Sequence, residues 1–115
     1  RTVVDDELVG GMGYKDIDPT AGSCLFWIAI SPEGAQGQGY GTDAVRVLLR
    51  YAFRELNMQR VGLEVGDFNV GARRVYEKCG FQLEGTVRRT MYRDGRLWDM
   101  HIMGILREEW EAAQG

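Results

Sequence analysis

The sequence predicts an α/β chain with a largely antiparallel sheet and one helical crossover between neighbouring strands. Three observations carry this. An apolar run, Cys24 to Ile30, stands between turn-forming residues; apolar residues at i, i+3, i+4 spacing follow it; and Asp94-Gly95 separates two long strand-like segments near the end. The order is three strands, helix, strand, helix, hairpin.

Arg1 already stands in a strand-like stretch, and Leu8 to Tyr14 reads as the next strand. Asp16-Ile17-Asp18-Pro19-Thr20-Ala21-Gly22 supplies the connection. Cys24 to Ile30 is apolar on both faces and is expected to be central, ending at Ser31-Pro32-Glu33-Gly34. From Thr42 to Leu56, the residues Val45, Leu48, Leu49, Ala52, Phe53 and Leu56 form one stripe of an amphipathic helix, with Arg46, Arg50 and Arg54 on the wet side. Val61 to Val65 is a short strand. Asn69 is a good N-cap for a helix that reaches Lys78 and stops at Gly80, with Ala72, Val75, Tyr76 and Cys79 inward.

With 115 residues, 44% hydrophobic and 27% charged, residues 1–115 suit one domain. Fourteen basic against seventeen acidic residues give a net charge of −3, which argues against nucleic-acid binding through a basic face. The longest apolar run is far below the ~20 residues of a membrane helix, and no apolar signal region opens the chain, so a cytoplasmic location is expected. Cys24 and Cys79 have neither CxxC nor zinc-ligand spacing and read as reduced, buried thiols; no metal is expected.

Gln36-Gly37-Gln38-Gly39-Tyr40-Gly41 lies between the apolar strand and the amphipathic helix. Glycines there let the backbone approach a ligand, and the free N–H groups of the helix start suit a phosphate. A nucleotide phosphate loop would need Lys-Ser or Lys-Thr where Thr42-Asp43 stands, and the dinucleotide fingerprint is poorly matched. A loop that merely turns a strand into a helix is the plain alternative.

The Gln-x-x-Gly-x-Gly spacing resembles the acyl-CoA pyrophosphate loop of the GNAT acetyltransferases. Asn69, Ala72 and Tyr76-Glu77-Lys78-Cys79-Gly80-Phe81 resemble that family's second signature. Glu84-Gly85, Tyr92 to Arg96, Asp99 and Met103 to Trp110 are similar to the branch that includes the ribosomal-protein N-terminal acetyltransferases. The likeness runs from Leu8 to Trp110. It implies a mixed, mostly antiparallel sheet whose two parallel central strands, around Phe26 to Ile30 and Val61 to Val65, splay apart to receive acetyl-CoA. Acetyl would pass to a primary amine, on a protein N-terminus or a small molecule, by direct attack in a ternary complex.

The resemblance also implies roles for residues. Backbone groups around Ile28 and Ile30 would pair with the pantetheine arm. Gln36, Gln38, Gly39, Tyr40, Gly41 and Thr42 would hold the pyrophosphate. Asn69 would contact the cofactor arm, cap its helix, or both. Tyr76 would protonate or hydrogen-bond the leaving thiolate, against a purely packing role. Glu64 would be the general base in a dry cleft; otherwise it faces solvent or pairs with Arg60 or Arg73.

The chain departs from the family pattern in four places. Ser23 to Trp27 carries no acidic residue, Gly34-Ala35 lengthens the loop, Gln36 stands where Arg is common, and the usual opening strand and helices are missing. The last departure leaves the acceptor open, exposes apolar sheet surface and predicts self-association, with a homodimer expected. It also motivates a rival reading, a non-catalytic acyl-CoA-binding module. His101 reads as structural. Trp27, Trp98 and Trp110 read as core or interface anchors, and Arg88, Arg89, Arg93 and Arg96 as a solvated turn, a dock for an acidic acceptor, or a site for the adenosine phosphate of CoA.

Overall fold

A computed structural model describes residues 9–30 and 40–114. The strand expected at Arg1 and the Gly-rich residues 31–39 lie outside this range. The elements are β1 (Val9–Asp18), β2 (Ser23–Ile30), α1 (Tyr40–Arg50), β3 (Arg60–Gly66), α2 (Val70–Lys78), β4 (Gln82–Arg93), β5 (Arg96–Leu106) and α3 (Arg107–Gln114). The strands form one sheet in the order β1, β2, β3, β5, β4, in which only β2 and β3 run parallel. The helical crossover joins that pair, as expected of parallel neighbours. Among the described residues no helix is long and apolar enough to cross a membrane.

Strand periodicity divides the sheet into two unequal faces. Cys24, Phe26, Val61, Leu63, Val65, Met103 and Ile105 point to one face, where they meet Val45, Leu49, Phe53, Val75 and Tyr76 of the helical layer. Phe26, Leu63 and Phe53 are at most 1% exposed, each contributing roughly 1.5–3 kcal/mol by burial. No described helix packs on the opposite, open face. Glycines flatten it: a Cβ on Gly104 would lie 2.6 Å from both Arg60 Nη1 and Glu84 Oε2, the ion pair spanning that spot. Trp27, although in the apolar run expected to be buried on both faces, is 47% exposed on this side.

Local chemistry explains the element ends. Asn69 accepts a hydrogen bond from Ala72 N at 3.2 Å, capping α2 as expected, and Gly80 ends the helix at φ +106°. The hairpin pairs Arg93 with Arg96 around Asp94 (φ +55°) and Gly95 (φ +79°), the double positive φ of a type I′ turn. Three findings differ from the expectation. β1 continues to Asp18 through an irregularity after Lys15, so the connection shrinks to four residues. The first helix widens into a π-helical turn, Tyr51–Glu55, which leaves Ala52 and Phe53 both buried. α3 was not anticipated. Glu109 accepts from Leu106 N at 2.9 Å at its start, Arg107 donates to Phe53 O at 2.8 Å, and Trp110 packs on Phe53 with ring centroids 5.2 Å apart.

Phe26 touches both Tyr76 and Phe81 edge-on, so truncation should leave a cavity between sheet and helices. Phe26→Ala is expected to cost about 3–5 kcal/mol in urea unfolding; a loss under about 1 kcal/mol would contradict this packing.

Candidate functional site

β2 and β3 pair through only three residue pairs, Ser23 with Arg60, Cys24 with Val61 and Leu25 with Gly62. Both strands continue, β2 to Ile30 and β3 to Gly66, without pairing to each other. Over this stretch β2 keeps β1 as a neighbour and β3 keeps β5. The inward-facing backbone groups of residues 26–30 and 63–66 therefore lack a strand partner among the described residues. Amide groups need partners, so the parting suits an extended chain that itself carries amides. Ile28 and Ile30 lie along it.

Tyr76 borders the parting from the helical face. Its ring packs edge-on against Phe26 and Phe81, with centroids 6.1 and 5.9 Å away, and the residue is 4% exposed. Burial pushes its phenol up to about 12. Tyr76 therefore stays protonated at any ordinary working pH and can donate a hydrogen bond.

Glu64 borders the same stretch from the opposite side. The alternation that sends Val61, Leu63 and Val65 inward sends Glu64 to the open face, where its side chain is 41% exposed and 3.5 Å from Lys15 Nζ. The dry setting expected for a base is not what the described residues supply. Neither anticipated partner holds it: Arg60 binds Glu84 and Arg73 binds Asp67. Such an exposed pair contributes about 0–1 kcal/mol.

The turn after β3 is held by contacts that the sequence did not reveal. Asp67 N donates to Asp99 O at 2.9 Å, and Asp67 Oδ1 accepts from His101 Nε2 at 2.7 Å and from Arg73 at 3.3 Å. His101 Nδ1 meets Thr86 Oγ1 at 3.0 Å. A carboxylate only accepts, so Nε2 carries a proton and donates it to Asp67. His101 thus clamps the turn that positions Asn69. Residues so distant in the chain leave no local signal.

At the start of α1, Thr42 is 6% exposed, and its carbonyl accepts from Cys79 Sγ at 3.7 Å, joining the first turn of α1 to the end of α2. Gly41 is buried beside it, and Tyr40 opens the helix. Gln36, Gln38 and Gly39 lie outside the described residues. Burial raises both thiols, Cys79 to about 11, so neither is poised as a thiolate. Arg46, Arg50 and Lys78 line a cavity of about 280 Å³ with Trp110 and Cys79, so part of the stripe read as merely wet faces a concavity.

The hydrogen bond from His101, helped by the charges of His101, Arg73 and Arg96, holds the Asp67 carboxyl below its ordinary value. A lowered carboxylate contributes stability that is complete above the ordinary value and is lost as pH falls through the lowered one. The stability gap between the native protein and Asp67→Asn should therefore be constant above roughly pH 5 and close below roughly pH 4 in a series of urea unfolding curves. A gap that persists unchanged to pH 3 would contradict this.

Known proteins share this architecture. The family model described as an acetyltransferase (GNAT) domain matches residues 2–82. The SPbeta prophage-derived uncharacterized N-acetyltransferase YokL of Bacillus subtilis is 32% identical, over 96% of this chain and 62% of the relative. The protein named "Putative ribosomal N-acetyltransferase YdaF" of the same species is 37% identical, over 93% of this chain and 58% of its own length. A crystal structure of spermidine N-acetyltransferase from Vibrio cholerae in complex with CoA and spermine superposes with a TM-score of 0.77 at 33% identity, covering 85% of this chain and 57% of that one. That enzyme is dodecameric in another solved structure. The chain thus spans about three-fifths of the length of these relatives. The mostly antiparallel sheet, its single parallel pair and the family match over residues 2–82 together establish that this chain belongs to the GNAT acetyltransferase domain family.

Proposed function

We propose that the chain transfers acetyl from acetyl-CoA to a primary amine by direct attack in a ternary complex. The carrying observation is the parting of β2 and β3, with the buried phenol of Tyr76 on one side and the carboxylate of Glu64 on the other. Relatives named N-acetyltransferases, one solved with CoA, support the reading.

In this reading the pantetheine arm lies in the parting on backbone groups of Ile28 and Ile30, and Asn69 contacts it. Gln36, Gln38, Gly39, Tyr40, Gly41 and Thr42 hold the pyrophosphate at the positive end of α1. The amine enters from the open face and gives its proton to Glu64, directly or through water. Its lone pair attacks the thioester carbonyl, the C–S bond breaks, the sulphur takes the electron pair, and the nitrogen gives up its second proton to solvent as the amide forms. With its phenol near 12, against about 8.5 for a thiol, Tyr76 does not surrender its proton outright. It donates a hydrogen bond to the developing thiolate, and solvent supplies the final proton.

The exposure of Glu64 favours one rival, a domain that binds acyl-CoA without transferring it. Thiol release from acetyl-CoA over a panel of amines and N-terminal peptides, beside calorimetric CoA binding, separates the two. Turnover on any acceptor excludes the rival; binding without turnover supports it; neither would remove both.

Tyr76→Phe should lower kcat by about 10- to 1000-fold with CoA affinity changed less than about threefold. Because its phenol is raised, the native enzyme should show no Tyr76-dependent loss of rate up to about pH 10. Unchanged turnover in the variant would take Tyr76 out of this role. The open face exposes Trp27, Val87 and Leu106, and we read it as a self-association surface. Light scattering should show a dimer or larger species, and a clean monomer would count against it.

A further inference from the structure

Two consecutive arginines face one cavity where a regular strand would send them to opposite sides. Val87 pairs with Met100 and Met91 with Trp98, so β4 takes four steps while β5 takes two. The excess forms a bulge at Arg88, Arg89 and Thr90 opposite Asp99. Arg89 has φ +53°, a conformation that a bulky side chain adopts at a cost, and its N–H is held by Asp99 Oδ1 at 2.9 Å. Bulges of this kind re-aim side chains and recur beside functional sites. Here Arg88, Arg89 and Asp99 line a cavity of about 730 Å³.

The cavity is tied to the turn that ends β3. Asp99 O accepts from Asp67 N, so one wall is fastened to the turn that follows β3, at the end of the sheet where β2 and β3 part. Arg93 and Arg96 stand nearby, their guanidiniums 4.6 Å over Phe68 and 4.0 Å over Trp98. A chain of net charge −3 thus gathers four arginines on one hairpin. Guanidinium forks match carboxylates in shape and charge, and they repel ammonium groups.

We propose that this cavity receives the acidic side chains of an acceptor peptide and selects amino termini followed by Asp or Glu over polyamines. The proposal rests on the acetyltransfer reading above and names its acceptor class. The volume admits a few peptide residues, within the usual range for ligand sites. Peptide amino groups would enter the parting while the following carboxylates meet Arg88 and Arg89.

The test uses the full chain, acetyl-CoA and three acceptors: a Ser-Asp-Glu peptide, its Ser-Asn-Gln twin, and spermidine. Thiol release should give the acidic peptide a kcat/KM about tenfold or more above its twin, with spermidine lowest. Arg88→Gln/Arg89→Gln should cut the ratio below about threefold, and Arg89→Gly, which the positive φ tolerates, should lower it in part. Equal twins, a preference that survives the double substitution, or spermidine as best acceptor would overturn the proposal. So would a tenfold loss of CoA affinity in the double variant, since the arginines would then serve the cofactor. If no acceptor turns over, the acetyltransfer reading fails instead, and peptide calorimetry still decides the cavity's role. Tighter binding of the acidic twin that the double substitution abolishes supports it, and equal binding overturns it.

Discussion

The short reach of the β2–β3 pairing governs the arrangement of the rest. Three residue pairs hold the strands together at Ser23, Cys24 and Leu25; beyond them, among the described residues, each strand is anchored only on its outer side. A sheet that closed fully would satisfy these backbone groups internally and offer no slot. Keeping the slot requires rigid flanks. Phe26, the first β2 residue past the pairing, is 1% exposed and wedged between Tyr76 and Phe81, so the core itself fixes one edge of the opening.

The other edge depends on polar contacts from distant parts of the chain. Asp67 is bound by Asp99, His101 and Arg73, and two residues later Asn69 caps α2, the helix that carries Tyr76. One turn therefore couples β5, the end of β3 and the start of α2. The same turn supports the arginine-lined cavity through Asp99, so the cavity and the parting of β2 and β3 share one anchoring backbone hydrogen bond, Asp67 N to Asp99 O.

Much of this was legible in the chain because its signals are local. The spacing of Val45, Leu49, Ala52 and Phe53, the cap at Asn69 and the Asp94-Gly95 turn each act within a few residues, and each appears where expected. Glu64 stands on the face opposite Val61, Leu63 and Val65, and which face the helices cover depends on the assembled sheet. Partners of His101 depend on the register of β5 with both neighbours, and the bulge at Arg89 uses a positive φ at a residue that gives no hint of one. α3 is short, and its contacts with Phe53 and Met58 reach back about fifty residues.

In the proposed function the parting of β2 and β3 seats the pantetheine arm of acetyl-CoA. Amide hydrogen exchange, followed residue by residue with and without CoA, addresses it directly. Slowing of exchange by about tenfold or more at alternate amides within residues 26–30 and 63–66, with little change across the β4–β5 hairpin, is the result predicted. CoA binding that leaves those amides unchanged would contradict it.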